Sequence, residues 1–199
     1  SADVPKILAL KPDLVLTFSD LQADIAAELI LAGIAVHAFN QRSVEGILEM
    51  ICTLGALTDC RPQSEALVSQ YRTRIHNLLA TERPYRPRVY FEEWDDPPIS
   101  GIRWASELIE IAGGVDVFSH LQAEQGARAR ILDAQQVIDA APEVILASWC
   151  GKKVRPDKIA VRPGWDTIPA VANDRIYEIK SPLILQPGPA ALTDGLDAI

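Results

Sequence analysis

The chain reads as an α/β protein of two lobes joined by one long helix, with a ligand cleft between the lobes. Three observations predict this. Short apolar runs alternate with helical periodicity from residue 13 onward, the rhythm of parallel α/β layers. Two stretches recur in the same order: "ILALKPDLVLTF" (7–18) with "VIDAAPEVILAS" (137–148), and "LAGIAVHAF" (31–39) with "VANDRIYEI" (171–179). Between the echoed halves lie a single long helical stripe and the stiff junction "RPYRPR" (83–88). The expected organisation is an N-terminal lobe over 1–61, a connecting helix over 62–82 and a C-terminal lobe over 84–199.

"DLVLTF" (13–18) is a buried strand, a continuous apolar run too short for a helix. "DLQADIAAELILAG" (20–33) is a helix, with Asp20 as N-cap, Ile25, Leu29 and Ala32 at helical spacing, and Gly33 as its stop. "IAVHAF" (34–39) is the second strand. Ser43 starts a helix that runs to Leu54 and stops at Gly55. From Pro62 to Ala80 a longer helix buries Ala66, Tyr71, Ile75, Leu78 and Leu79. After the junction come a strand over 88–92, an acidic aromatic loop, a helix over 103–112 closed by Gly113-Gly114, a short helix over 133–140, and strands over 144–148 and near 175–179.

Composition narrows the function. With 48% hydrophobic and 23% charged residues the chain is globular rather than disordered. Its formal charge of −8 argues against nucleic acid, whose phosphates need basic patches. No apolar run is long enough to span a bilayer. "SADVPKILALKPD" lacks a basic stretch followed by an apolar core, so no secretory signal is visible; the chain is cytoplasmic, a mature secreted protein, or trimmed at its front. Cys52, Cys60 and Cys150 form no CxxC pair, and Cys52, inside "LEMICTLGAL", reads as a buried inert thiol; whether Cys52 and Cys60 pair stays open.

Ligands of open α/β sheets bind beyond the carboxyl ends of the strands. Phe18, Phe39, Trp94 and Trp149 all fall at such ends, with Glu93 beside Trp94. Singly, each aromatic plugs the end of a sheet; together they wall an apolar cleft for a large flat ligand. Ser100 and Gly101 open the following helix, where free backbone N–H groups meet a ligand or Ser100 merely caps. Trp104, with Leu108 and Ile111, is core. The acids of "EEWDDPPISGIRW" (92–104) read as solvated loop groups, and His37, His76 and His120 have no metal-type neighbours, so no catalytic or metal residue is assigned. No GxSxG, P-loop, GxGxxG or HExxH occurs.

"ILALKPDLVL", "LILAGIAVHAF", "SGIRWASELIEIAGGVDVF" and "RPGWDTIPAVANDRIYEI" resemble, over nearly the whole chain, the solute-binding proteins of ABC importers for cobalamin and iron-siderophores, the class III periplasmic binding proteins. "EEWDDPPISGIRW" and "RPGW" look closest to cobalamin-binding members. The resemblance implies two Rossmann-like lobes bridged by a rigid helix, a periplasmic or extracytoplasmic setting, and a ligand delivered to an ABC importer permease. It places Phe18 and the loop from Trp94 through Pro98, Ile99, Ser100 and Gly101 against the ligand, and adds Trp165 from "RPGW". Against the resemblance, the chain starts beyond an initial strand and helix that family members carry, as expected either of a fragment or of a reduced first lobe. Lobe-rim carboxylates of the family dock to permease arginines; Asp24 matches one such position, whereas the second falls at or near Leu185.

The expected function is therefore binding, without catalysis or a resident cofactor, of a cobalt corrinoid by a monomeric protein. One alternative keeps the fold and exchanges the cargo for another small-molecule metal complex, a ferric siderophore or haem, which the acidic loop disfavours. Another class of function, an acid-dependent hydrolase, would use Glu93 and Asp95.

Overall fold

The computed structural model describes residues 2–199. The chain divides into two compact units, Ser1–Gln41 and Arg42–Ile199.

In the first unit, helix α1 (Val4–Ala9) is capped by Asp3, whose carboxylate accepts the Lys6 N–H at 3.1 Å. Strands β1 (Val15–Phe18) and β2 (Val36–Phe39) pair in parallel, Val15 against Val36 through Phe18 against Phe39. The helix expected from Asp20 begins differently. Ser19, at a positive φ of 65°, turns the chain and accepts the Leu21 N–H, residues 20–22 form a 3₁₀ turn, and α2 proper spans Ala23–Leu31. Leu29 is fully buried, while Leu16, Ile30 and Leu31 stay exposed.

The second unit opens with α3 (Val44–Leu57) and α4 (Arg61–Ala80). Ser43 caps α3 as its sequence predicts, accepting the Gly46 N–H at 3.0 Å, and the carboxylate of Glu107 takes the Val44 N–H at 2.6 Å. Gly55 does not end α3. It lies inside the helix where a Cβ would stand 2.0 Å from the Ser64 hydroxyl, so the missing side chain is what lets α3 and α4 approach.

The sheet of this unit orders β4 (Pro98–Ser100), β3 (Arg88–Asp95), β6 (Val144–Ala147) and β7 (Ile176–Glu178). Strands β3, β6 and β7 are parallel, β4 runs back against the far end of β3, and β5 (Val115–Asp116) pairs with its near end. Helix α5 (Arg103–Ala112) covers one face, α6 (Ala134–Ala140), α7 (Pro156–Ala160) and α8 (Pro169–Ala172) belong to the other side, and α9 (Ser181–Ile184) and α10 (Leu196–Ala198) close the chain.

Period-2 alternation assigns the faces. Val89, Phe91 and Leu146 join α3, α4 and α5 in one core, with Trp104, Leu108 and Ile111 buried as expected. Tyr90, Ile145 and Ala147 join Val137, Ile159, Trp149 and Trp165 in the other. Covered on both faces, these strands are almost continuously apolar. No helix among the described residues is long and apolar enough to cross a membrane.

Candidate functional site

The segment expected to be an open loop is an antiparallel hairpin. Strand β3 continues to Asp95, turns through Asp96 and Pro97, and returns as β4, with a register shift between Glu92 and Trp94. Three acids that read as solvated are instead committed to individual cations.

Glu92 is 0% exposed, on the face of Tyr90. Arg162 grips both its oxygens, one at 3.0 Å, the Trp149 indole N–H donates at 3.2 Å, and the Tyr90 hydroxyl donates at 3.2 Å. Burial pushes the Glu92 carboxyl above its ordinary range, and the donors from Arg162, Trp149 and Tyr90 offset this only in part. Burial likewise holds the Tyr90 phenol protonated far past its usual range. The Arg162 guanidinium lies 4.4 Å from the Trp165 ring centre, and the Tyr90 and Trp165 rings meet edge-on at 6.3 Å.

Glu93 points to the other face. It pairs with Arg130 at 2.7 and 3.3 Å and accepts the Ile102 N–H at 2.8 Å at the start of α5. Arg130 is 1% exposed and also donates to the Ser100 carbonyl. The Leu132 N–H donates to the Pro98 carbonyl at 2.8 Å, and Ile99 bridges Ile131, so residues 130–132 brace the returning strand. Asp95 is held at both oxygens by Lys152, at 2.7 and 2.8 Å. Two arginines and a lysine thus fix the hairpin from three directions.

At its tip Trp94 is half-buried. Its indole N–H donates to the Asp96 carbonyl at 3.0 Å, and the Lys152 ammonium stands 5.2 Å from its ring centre and 5.0 Å from that of Trp149. Beside it, Trp149, Gly151, Lys152, Lys153, Glu178, Ile179, Lys180, Ser181 and Pro182 line an open groove of about 270 Å³ at the ends of β6 and β7. Glu178 is held below the usual carboxylate range, first by its hydrogen bond from Lys180 and then by the Val154 N–H and the Lys180 and Lys153 charges.

The other expected site residues separate. Trp149, 2% exposed, lies under Lys152 with its N–H committed to Glu92; Trp165, 0% exposed, is core. Neither presents a ring to solvent, because the arginine–carboxylate cluster needs them as its apolar wall. Pro98 and Ile99 are partly accessible on β4, whereas Ser100 and Gly101 are buried. Ser100 spends its hydroxyl on the Arg130 carbonyl at 3.4 Å, and a Cβ on Gly101 would come within 3.1 Å of the Phe91 side chain, so neither offers a free helix start. In the first unit, Phe18 and Phe39 are register partners at the carboxyl ends of β1 and β2, each half-buried, with His37 edge-on to Phe39 at 4.4 Å. Asp24 is exposed in the first turn of α2, and Leu185 follows α9.

The sequence reading missed Lys152, Lys153, Arg130 and Arg162. The lysine pair, just past the strand end at "ASWCGKK", and Arg162, the first residue of "RPGW", carried local signals; Arg130 carried none. All three cysteines are free, Cys52 partly buried and Cys60 and Cys150 exposed. Among the described residues no group of three or more His, Cys, Asp or Glu is placed to hold a metal ion.

A family model described as "Periplasmic binding protein" matches residues 1–183. The chain is 25% identical over 191 residues to the "Vitamin B12-binding protein" of Vibrio parahaemolyticus, covering 94% of this chain and 67% of that one. It spans about two thirds of the length of the curated relatives it matches. Among solved structures, the periplasmic heme-binding protein RhuT from Roseiflexus sp. RS-1 superimposes with a TM-score of 0.80 at 22% identity, covering 100% of this chain and 79% of that one. The periplasmic vitamin B12 binding protein BtuF of Vibrio cholerae superimposes with a TM-score of 0.69 at 22% identity, covering 99% and 76%. At these identities the structural likeness concerns the fold.

Proposed function

Because the chain belongs to the periplasmic binding protein family, we propose that it is the ligand-capturing component of an ABC importer, working outside the cytoplasmic membrane, and that its ligand is a corrinoid. The observation that carries this is Trp94: a partly buried aromatic ring that keeps some exposed surface at the carboxyl end of a parallel sheet, on a hairpin that Arg130, Arg162 and Lys152 hold in place. Rigid elements with a few accessible aromatics suit a large planar ligand, because little conformational entropy is lost on contact. Phe18 and Phe39 supply similar rings at the strand ends of the first unit. The curated relatives named for vitamin B12 support the corrinoid over other planar metal complexes.

The same geometry speaks against the hydrolase. Glu93 and Asp95 are each bound through both oxygens to a different cation, so they do not form the opposed acid and base that hydrolysis needs. The cargo itself brings any metal chemistry; the protein's residues only bind and orient it. Asp24 is proposed to meet a permease arginine, being exposed and early in its helix.

A haem or ferric siderophore is the second reading. The lysines of the groove beside Trp94 favour it, since both cargo classes carry anionic groups, and the acids thought to repel them are neutralised. Titration with cyanocobalamin, followed by absorbance and by quenching of tryptophan emission, tests the proposal. Saturable binding that weakens in Trp94→Ala supports it; saturable haem binding with none for cyanocobalamin overturns the corrinoid assignment.

A further inference from the structure

We infer that the groove at the ends of β6 and β7 is an oxyanion subsite, taking a phosphate or carboxylate group, with Lys153 as its principal cation. Three lysines and one glutamate line it in a chain whose formal charge is −8. Their pairing decides what is left over. Lys152 spends its charge on Asp95, and Lys180 on Glu178, whose other oxygen takes the Val154 N–H at 3.1 Å. The acids are therefore already satisfied, and a second cation would find no acceptor on them. Lys153 makes no ion pair among the described residues; its charge reaches Glu178 only at longer range, on a carboxylate already paired with Lys180, which leaves it the least committed cation of the groove.

The backbone adds to this. Gly151 adopts a positive φ of 69°, and neither its N–H nor that of Lys153 donates to a protein acceptor among the described residues. The Lys152 N–H between them is spent on the Trp149 carbonyl at 3.3 Å, so the turn leaves two separate backbone donors, one on either side of it, rather than a continuous row. Trp149 forms the wall beneath Lys152, so that cation stands against apolar surface rather than open water on every side. The groove of about 270 Å³ suits a substituent, not a whole corrin or porphyrin. The subsite rests on the proposed function only in supposing that the anion is carried by the transported ligand: the phosphate of a nucleotide-bearing corrinoid or the carboxylate of a haem or siderophore.

The test uses inorganic phosphate and acetate as probes on the whole chain, titrated at constant ionic strength against chloride, with amide shifts read by ¹⁵N NMR. Saturable shifts confined to Gly151, Lys152, Lys153 and Lys180 are expected. Lys153→Glu should weaken them roughly tenfold, the loss of one charge-assisted contact, while Lys153→Arg retains them. Phosphate binding more tightly than acetate identifies a phosphate-bearing cargo, and the reverse order a carboxylate-bearing one. Shifts that do not saturate, that chloride reproduces, or that Lys153→Glu leaves unchanged overturn the subsite. Both variants alter an exposed side chain, and their dispersed spectra report folding directly. If cyanocobalamin fails to bind while phosphate does, the corrinoid assignment falls and the subsite stands.

Discussion

The two faces of one strand end carry the same chemistry with the roles exchanged. Toward the Tyr90 face the acid is the buried partner: Glu92 is 0% exposed and its arginine, Arg162, 18%. Toward the Phe91 face the base is buried: Arg130 is 1% exposed and Glu93 20%. A buried carboxylate that loses its cation has nowhere to be hydrated, whereas Glu93 can turn to water if Arg130 is lost. Two ion pairs that look equivalent should therefore fail very differently.

The largest effect should come from Arg162→Met, which strands the Glu92 charge. A cost of about 3–5 kcal/mol is expected from breaking a buried pair on one side, measured as a fall in thermal midpoint. Arg130→Met should cost less, about 1–3 kcal/mol, the loss of charge-assisted bonds to Glu93 and the Ser100 carbonyl. Equal losses in the two variants would break the comparison.

Titration sharpens it further. The Glu92 carboxyl is raised by burial, so the folded chain holds its proton more tightly than the unfolded one. Its contribution to stability is therefore present at low pH and declines as pH rises through the window just above the ordinary carboxylate range. The stability difference between wild type and Glu92→Gln should fall with rising pH across that window, measured by denaturant unfolding. A difference that rises instead would mean that Arg162 outweighs burial.

Trp94→Ala comes next. It should cost about 1–3 kcal/mol of cyanocobalamin binding, as for an aromatic anchor, while the thermal midpoint falls far less than in Arg162→Met. The smallest effect belongs to Asp24→Ala, exposed on α2. Stability and ligand binding should stay at wild-type values, and only transport or permease association should weaken, less so at higher salt. Uptake at the wild-type rate at every salt concentration would leave Asp24 a surface acid.

Much of this architecture was legible locally. Ser43, Asp133 and Gly33 act where their residue types predict: Ser43 and Asp133 cap helices, with Asp133 in a reciprocal box with Gln136, and Gly33 takes the positive φ of a helix stop. The strands follow from apolar runs, and Trp104 from helical spacing. The hairpin was not legible, because two prolines in five residues argue against a strand and only the bracing by 130–132 keeps the chain extended there. Nor was the fate of the acids, since Arg130 is 37 residues from Glu93 and Arg162 is 70 from Glu92. Periodicity reports which way a side chain faces, not which distant cation will meet it. Gly55 misled for a related reason: a glycine near a helix end looks like a stop unless the neighbouring helix is known to press on it.

The Trp94 indole spends its only hydrogen-bond donor on the Asp96 carbonyl, and Lys152 stands over its ring. What the side chain has left for a visitor is hydrocarbon edge and π surface. A surface of that kind measures flatness and area and is blind to the pattern of polar decorations around a ring system. On the proposed reading of Trp94 as a ligand contact, discrimination among chemically related cargoes would be exercised elsewhere, by groups that still have a donor or a charge to give, and this residue would set a permissive threshold, admitting a class of molecules rather than a single member of it.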